Sequence, residues 1–242
     1  MDDKSGTQLG ANKTGVNLSS IDVSELGGNG DNGLDGSGTE MATLRAAYIV
    51  EAEPLGTVPV PGTVKGIVKT GMEKLMGNSP EVMVDKLGER LAFERTGVRL
   101  YESLLTKFQA TEAKLNFPGM WTVQLSQFRD QEAQHFKIVV EALEKLGADP
   151  TAQTPGADVV GIESTGLAKV IDDPRTTLSQ SLHSLLVAEL ADNAGWELLI
   201  KLAQDMGEDE FVMSFTQALN EEQEHLIHVR AWLEQSVRGQ SQ

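Results

Sequence analysis

The chain has 242 residues, a hydrophobic fraction of 40% and a formal net charge of −16 at pH 7. That length accommodates one sizeable domain with appendages, and the negative charge argues against nucleic acid or an anionic membrane surface as a partner. The chain has no cysteine, which excludes disulfides, thiolate metal sites and cysteine nucleophiles, so any metal site must use carboxylate, imidazole, backbone or water.

Residues 1–40 are rich in Gly, Asn, Asp and Ser, including the run GGNGDNGLDGSG, and are expected to form a disordered tail. No calcium-loop spacing is present in that run. Residues 41–78 form a short N-terminal module. It opens with an apolar run from Ala46 to Val50 and a Pro/Gly-rich stretch, LGTVPVPG. Val64, Ile67, Val68, Met72 and Leu75 then recur at helical spacing and predict a short amphipathic helix docked on the main domain. Nothing reads as a membrane span or an export signal, so a cytoplasmic location is expected.

The main domain, 79–242, opens at Ser79-Pro80, a cap followed by a first helical residue. The first long helix should reach about Leu115, with Leu87, Leu91, Glu94, Val98, Tyr101, Leu105 and Phe108 at alternating steps of four and three. A turn at Asn116-Phe117-Pro118-Gly119 leads to a second helix from Met120 to Leu146, whose seam includes Leu125, Phe128, Glu132, His135 and Val139. Gly147 is its stop. A connection of about 26 residues follows, with a helical turn near Ser164 to Ile171, and Asp173-Pro174 should restart a helix. The third helix carries Leu182, Leu186, Glu189, Asn193 and Trp196 and stops at Gly207. The fourth carries Phe215, Ala218, Glu222, His225, Val229 and Trp232 and stops near Gly239. Two short connections and one long one predict an all-α fold in which the second and third helices run parallel.

Glu94, Glu132, His135, Glu189, Glu222 and His225 thus fall where core leucines belong. Buried charges of this kind need compensation, and divalent cations supply it. The set is also duplicated. FERTGVRLYESLL aligns with AELADNAGWELLI at an offset of 95, and SQFRDQEAQHF with TQALNEEQEHL at an offset of 90. Each half contributes a Glu and a Glu-x-x-His, whose two side chains share one helix face. The natural assignment makes Glu132 and Glu222 bridging ligands, His135 and His225 one terminal ligand per ion, and Glu94 and Glu189 terminal carboxylates. Four carboxylates carry −4, which two divalent ions carrying +4 would neutralise. Oxygen-rich ligands with one imidazole per ion suit iron or manganese better than structural zinc. Tyr101, two turns beyond Glu94 on the same seam, could hydrogen-bond a ligand or pass an electron, and is the candidate catalytic residue.

Glu, then Glu-x-x-His, then Glu, then Glu-x-x-His on successive helices resembles the ferritin-like di-iron carboxylate superfamily, and within it rubrerythrins and bacterioferritins. The match covers about residues 80–237. The resemblance implies a ferritin-like four-helix bundle with one long crossover, holding two Fe ions, with Mn or a mixed Mn/Fe pair as variants. It implies reaction with O2 or H2O2, in Fe(II) oxidation or as a peroxidase-type oxidoreductase. An iron-storage cage and a non-catalytic stress or structural protein are the alternatives. Rubrerythrins often place a further carboxylate three residues after the third-helix Glu, where this chain has Asp192. Gln131 and Glu221, each preceding a ligand Glu, match positions that orient metal-bound histidines in some members. Rubrerythrins also carry a cysteine-ligated iron site that this chain lacks, so an external electron donor is expected, together with a homodimer or higher homo-oligomer.

Overall fold

In the computed structural model, residues 9–10, 38–62, 80–115 and 120–240 are described. They form β1 (Leu9–Gly10), α1 (Gly38–Glu51), β2 (Val58–Pro59), α2 (Pro80–Leu115), α3 (Met120–Leu146), α4 (Pro155–Asp172), α5 (Leu178–Asp205) and α6 (Asp209–Gln240). The fold is all-α apart from the two short strands, which pair in parallel with Leu9 opposite Val58. No helix among the described residues is long and apolar enough to cross a membrane.

Much of the tail expected over 1–40 lies outside the described residues, although Leu9–Gly10 pairs with β2 and α1 begins at Gly38. The amphipathic helix expected over Val64 to Leu75 also lies outside them. The Ala46 to Val50 run sits in α1 and leaves Ile49 and Val50 exposed. β2 rests on α2 with Val58 buried.

The long helices pack α2 on α3 and α5 on α6, with α2 also against α5 and α3 against α6. Their apolar seams close into two clusters. One gathers Leu100, Leu104 and Phe108 of α2, Trp121, Leu125 and Phe128 of α3, Leu182 and Leu185 of α5, and Val229 and Trp232 of α6. The other gathers Met83 and Leu87, Val139 and Leu143, Trp196 and Leu199, and Phe211 and Phe215, again from all four helices. Each fully buried Leu or Phe contributes about 1.5–3 kcal/mol. The polar seam residues occupy the middle turns of each helix, between the clusters.

Helix stops follow the glycines. Gly147 has φ 80° and Gly207 φ 69°, and the flanking amides bond back to α3 and α5 in the paired pattern of a left-handed C-terminal cap. α6 runs through Gly239 to Gln240.

Two expectations are corrected. The long connection is not a loop with one helical turn: it holds α4, 18 residues long, packed on α2 and α5. Its Gly, Pro and Thr content suggested a loop, yet Thr154 caps it by accepting from the Ala157 amide, and Pro155 stands in its first turn. Asp85 Oδ1 accepts from the Gly156 amide at 2.9 Å and ties the start of α4 to α2. The following helix does not begin at Asp173-Pro174. Asp173 accepts from the Arg175 amide in a turn, and Lys107 Nζ donates to the Asp173 carbonyl. α5 starts instead after Thr177, in a reciprocal cap with Gln180.

Replacing Asp85 with Ala leaves the buried Gly156 amide without its acceptor. The expected cost is about 1–3 kcal/mol, measured as a lower urea midpoint with an unchanged slope.

Candidate metal centre

The structure brings all six seam residues together. Glu94 comes from α2, Glu132 and His135 from α3, Glu189 from α5, and Glu222 and His225 from α6, and none is more than 2% exposed. Glu222 is central. Its Oε1 lies 2.6 Å from His135 Nδ1 and its Oε2 3.1 Å from His225 Nδ1. His225 Nδ1 also lies 3.3 Å from Glu132 Oε1 and 3.8 Å from Glu189 Oε2, and His135 Nδ1 lies 3.7 Å from Glu94 Oε2.

These approaches are close but not aligned as hydrogen bonds. Both oxygens of Glu94 and of Glu222, Glu132 Oε2, Glu189 Oε2 and Nδ1 of both histidines are buried without a hydrogen-bond partner. Orphaned buried acceptors are rare because each costs its full desolvation penalty. Their donor atoms fall into three overlapping sets, each within 4.8 Å: Glu132, Glu189, Glu222 and His225; Glu94, His135 and Glu222; and Glu94, Glu132, Asp192 and Glu222. Carboxylate oxygens and imidazole nitrogens converging this way are a donor set that could hold a metal ion.

The outer ring nitrogens are held from behind. His135 Nε2 lies 2.9 Å from Glu221 Oε2, and His225 Nε2 lies 3.0 Å from Gln131 Oε1. A carboxylate only accepts, so His135 Nε2 carries the hydrogen and Nδ1 is the nitrogen turned inward. Gln131 presents its carbonyl oxygen to His225 in the same way. The Tyr101 hydroxyl donates to Glu189 Oε1 at 2.7 Å. Tyr101 therefore positions a candidate ligand. His228 bonds the Glu224 carbonyl and His183 is exposed, so neither joins the cluster.

Two further features were not anticipated. Arg90, one turn before Glu94, is buried with Nε 3.0 Å from Glu94 Oε1 and Nη1 2.8 Å from Asp192 Oδ1. Asp192 is thus inside the cluster but is paired with a guanidinium. The spacing of Arg90 four residues before Glu94 carried the signal, since such residues share a face. Gly97 and Gly195 are the second feature. A Cβ at Gly97 would collide with the Glu132 carboxylate, and one at Gly195 with the Arg90 guanidinium. Glycine in mid-helix costs about 1 kcal/mol relative to alanine, offset here by room for the charged groups.

Burial shifts the titrations. It raises Glu94 to about 7, although Arg90 opposes the rise. Burial first, and then the charge of Glu222, holds Glu132 and Glu189 well above the usual carboxylate range. Burial also raises Asp192 against the pull of Arg90. Burial disfavours a charged His135, but the contact with Glu222 outweighs it and pushes the imidazole up to about 9. Burial likewise opposes ionised Glu222, yet His135 and His225 hold it down to about 2.

No protein-family model matches the chain, and no curated protein or solved structure matches it significantly.

These shifts fix a pH dependence. Glu94 and His135 bind their protons more tightly folded than unfolded, so their stabilisation is complete below the unfolded values of 4.5 and 6.5. It is lost as pH rises through about 7 for Glu94 and about 9 for His135. Glu222 has the opposite sign and matters only as pH falls from 4.5 through about 2. The chelator-treated protein should therefore melt at progressively lower temperature from about pH 6 to about pH 9. Manganese(II) should raise the melting temperature more at the alkaline end, because metal binds the deprotonated ligands. Thermal melts across that range, with chelator and with Mn(II), measure both trends.

Proposed function

We propose that the chain is a ferritin-like protein whose centre holds two divalent ions, iron in the first instance, and reacts with O2 or H2O2. The observation that carries this reading is the set of buried, unpartnered donor atoms on Glu94, Glu132, His135, Glu189, Glu222 and His225. Charge balance supports it. Glu94, Glu132, Glu189, Asp192 and Glu222 carry −5 when ionised and Arg90 carries +1, leaving −4 for two divalent ions to neutralise.

The course of the helices supports the family reading. α2 and α6 each enter the cluster around Trp196 first and leave through the cluster around Phe128, whereas α3 and α5 do the reverse. Helices α3 and α5 thus run in the same direction, and the connection between them contains α4. That course is the one expected of a four-helix bundle with one long crossover.

In this reading Glu222, which belongs to all three donor sets, and Glu132 would be shared between the two positions. Glu94 and His135 complete one position, and Glu189 and His225 the other. A bound iron pair supplies one-electron redox chemistry toward O2 or H2O2. Glu221 and Gln131 hold each imidazole with Nδ1 inward, and Tyr101 holds Glu189. The two apolar clusters exclude water from either end. The chain has no cysteine, so the electrons that return the centre to its starting state come from an external donor.

Anaerobic Fe(II) loading, followed by exposure to O2 or H2O2, tests the reading. The wild-type protein should take up two equivalents and oxidise them. The Glu132→Ala/Glu222→Ala variant should take up none, and an unchanged iron stoichiometry in it would overturn the assignment. Glu221→Leu and Gln131→Leu should each keep the fold and weaken metal binding by roughly 10–100-fold.

A further inference from the structure

The duplication matches ligand with ligand, but two buried positions beside the ligands differ in charge between the halves. At the same offset of 95, Leu185 stands opposite Arg90 and Asp192 opposite Gly97. The two charged members of these pairs meet. Arg90 Nη1 lies 2.8 Å from Asp192 Oδ1 and donates to the Asp192 carbonyl at 3.0 Å, while Nε lies 3.0 Å from Glu94 Oε1. The guanidinium sits 4.3 Å from the Phe93 ring centre and in the space left by Gly195. Arginine keeps its charge in any protein environment. A permanent cation is therefore built into one side of the cluster, and the corresponding positions on the other side, Leu185 and Gly97, are uncharged. Glu94 faces a guanidinium where its repeat partner Glu189 faces the neutral Tyr101 hydroxyl.

We infer that Arg90 makes the two metal positions unequal: the first divalent ion enters at Glu132, Glu189, Glu222 and His225, and the second binds more weakly at Glu94 and His135, where Arg90 holds Glu94 Oε1 and leaves only Oε2 toward His135. This rests on the two-ion reading above. The first set offers four donors within 4.8 Å of one another, and none of them is paired with a lysine or arginine among the described residues. Both sets that contain Glu94 are touched by Arg90: it holds Glu94 Oε1 in each, and Asp192 Oδ1 in the one that includes Asp192. Arg90 also has two contacts to Asp192, which hold its charge beside Glu94 independently of Glu94 itself. One ion is resident, and the other comes and goes with the free metal concentration.

Calorimetric titration of the metal-free full chain with Co(II), followed also by the Co(II) visible absorption, tests this. The wild-type protein should show two steps, the second weaker by about tenfold, the scale of one close contact between buried opposite charges. Glu94→Gln should remove the second step and keep the first, and Glu189→Gln should weaken the first. Arg90→Met alone strands Asp192, so the charge-balanced Arg90→Met/Asp192→Leu variant is the decisive one, with its fold checked by circular dichroism. Its second step should strengthen by about tenfold and the gap should close. A single step with two equivalent ions in the wild-type protein overturns the inference, as does an unchanged gap in the double variant. Equal effects of Glu94→Gln and Glu189→Gln on both steps also overturn it. Two equal ions leave the proposed function standing, whereas no Co(II) binding by the wild-type protein overturns both.

Discussion

Everything in the main domain is arranged around the cost of keeping Glu222 ionised at zero exposure. A carboxylate taken out of water costs several kcal/mol unless opposite charge or hydrogen bonds replace its hydration. Both imidazoles approach Glu222, one on each oxygen, and that alone holds its titration near 2 against the pull of burial. The neighbours are not so well served. Glu132, Glu189 and Asp192 relieve mutual repulsion by keeping their protons far above the usual range, and Glu94 does so to about 7. A metal-free interior of this kind stays neutral by protonation. A metal-loaded one stays neutral by coordination. Proton and cation compete for the same atoms.

That competition requires a frame that does not collapse onto the polar layer. The two apolar clusters, each drawing on all four long helices, clamp the bundle on either side of it. Glycine at 97 and 195 keeps α2 and α5 open where Glu132 and Arg90 must lie. Gln131 and Glu221 stand in the turn before each ligand Glu and reach across to the histidine of the facing helix. Each helix thus supplies ligands and also the hold on its neighbour's ligand. Displacing α3 against α6 would disturb both histidines together.

The ligands were legible in the sequence because a Glu or His on an otherwise apolar seam conflicts with the pattern around it, and the conflict recurred in register. Helix ends at Gly147 and Gly207 were legible for a local reason, the positive φ that glycine permits. Less was legible where the deciding partner is distant. Only one turn of α4 was legible, because Asp85, which accepts from its first turn, is on another helix. Asp173-Pro174 had the form of a helix start, but Lys107 of α2 donates to the carbonyls of that turn and Thr177 takes the cap. Arg90 was less legible, although it lies one turn from Glu94, because an arginine between seam positions usually faces water. Its burial depends on Asp192, 102 residues away.

The same residue shows how a duplicated design acquires a direction. Two identical halves would offer two identical positions, with no reason for any ion or electron to prefer one. The ligands and their supporting groups keep the duplication, down to Gln131 and Glu221 in matching places. Among the departures from it, those at Arg90 and Asp192 lie next to each other. Either one alone would be costly, as a buried charge without a partner. Together they are neutral, which is why the pair can be accommodated without disturbing the ligand set. What the pair changes is the environment of Glu94, which has a cation beside it before any metal arrives. Glu189, its counterpart, has only a phenol. A small asymmetry in charge, placed where desolvation makes charge count most, would distinguish two metal positions built from matching residues.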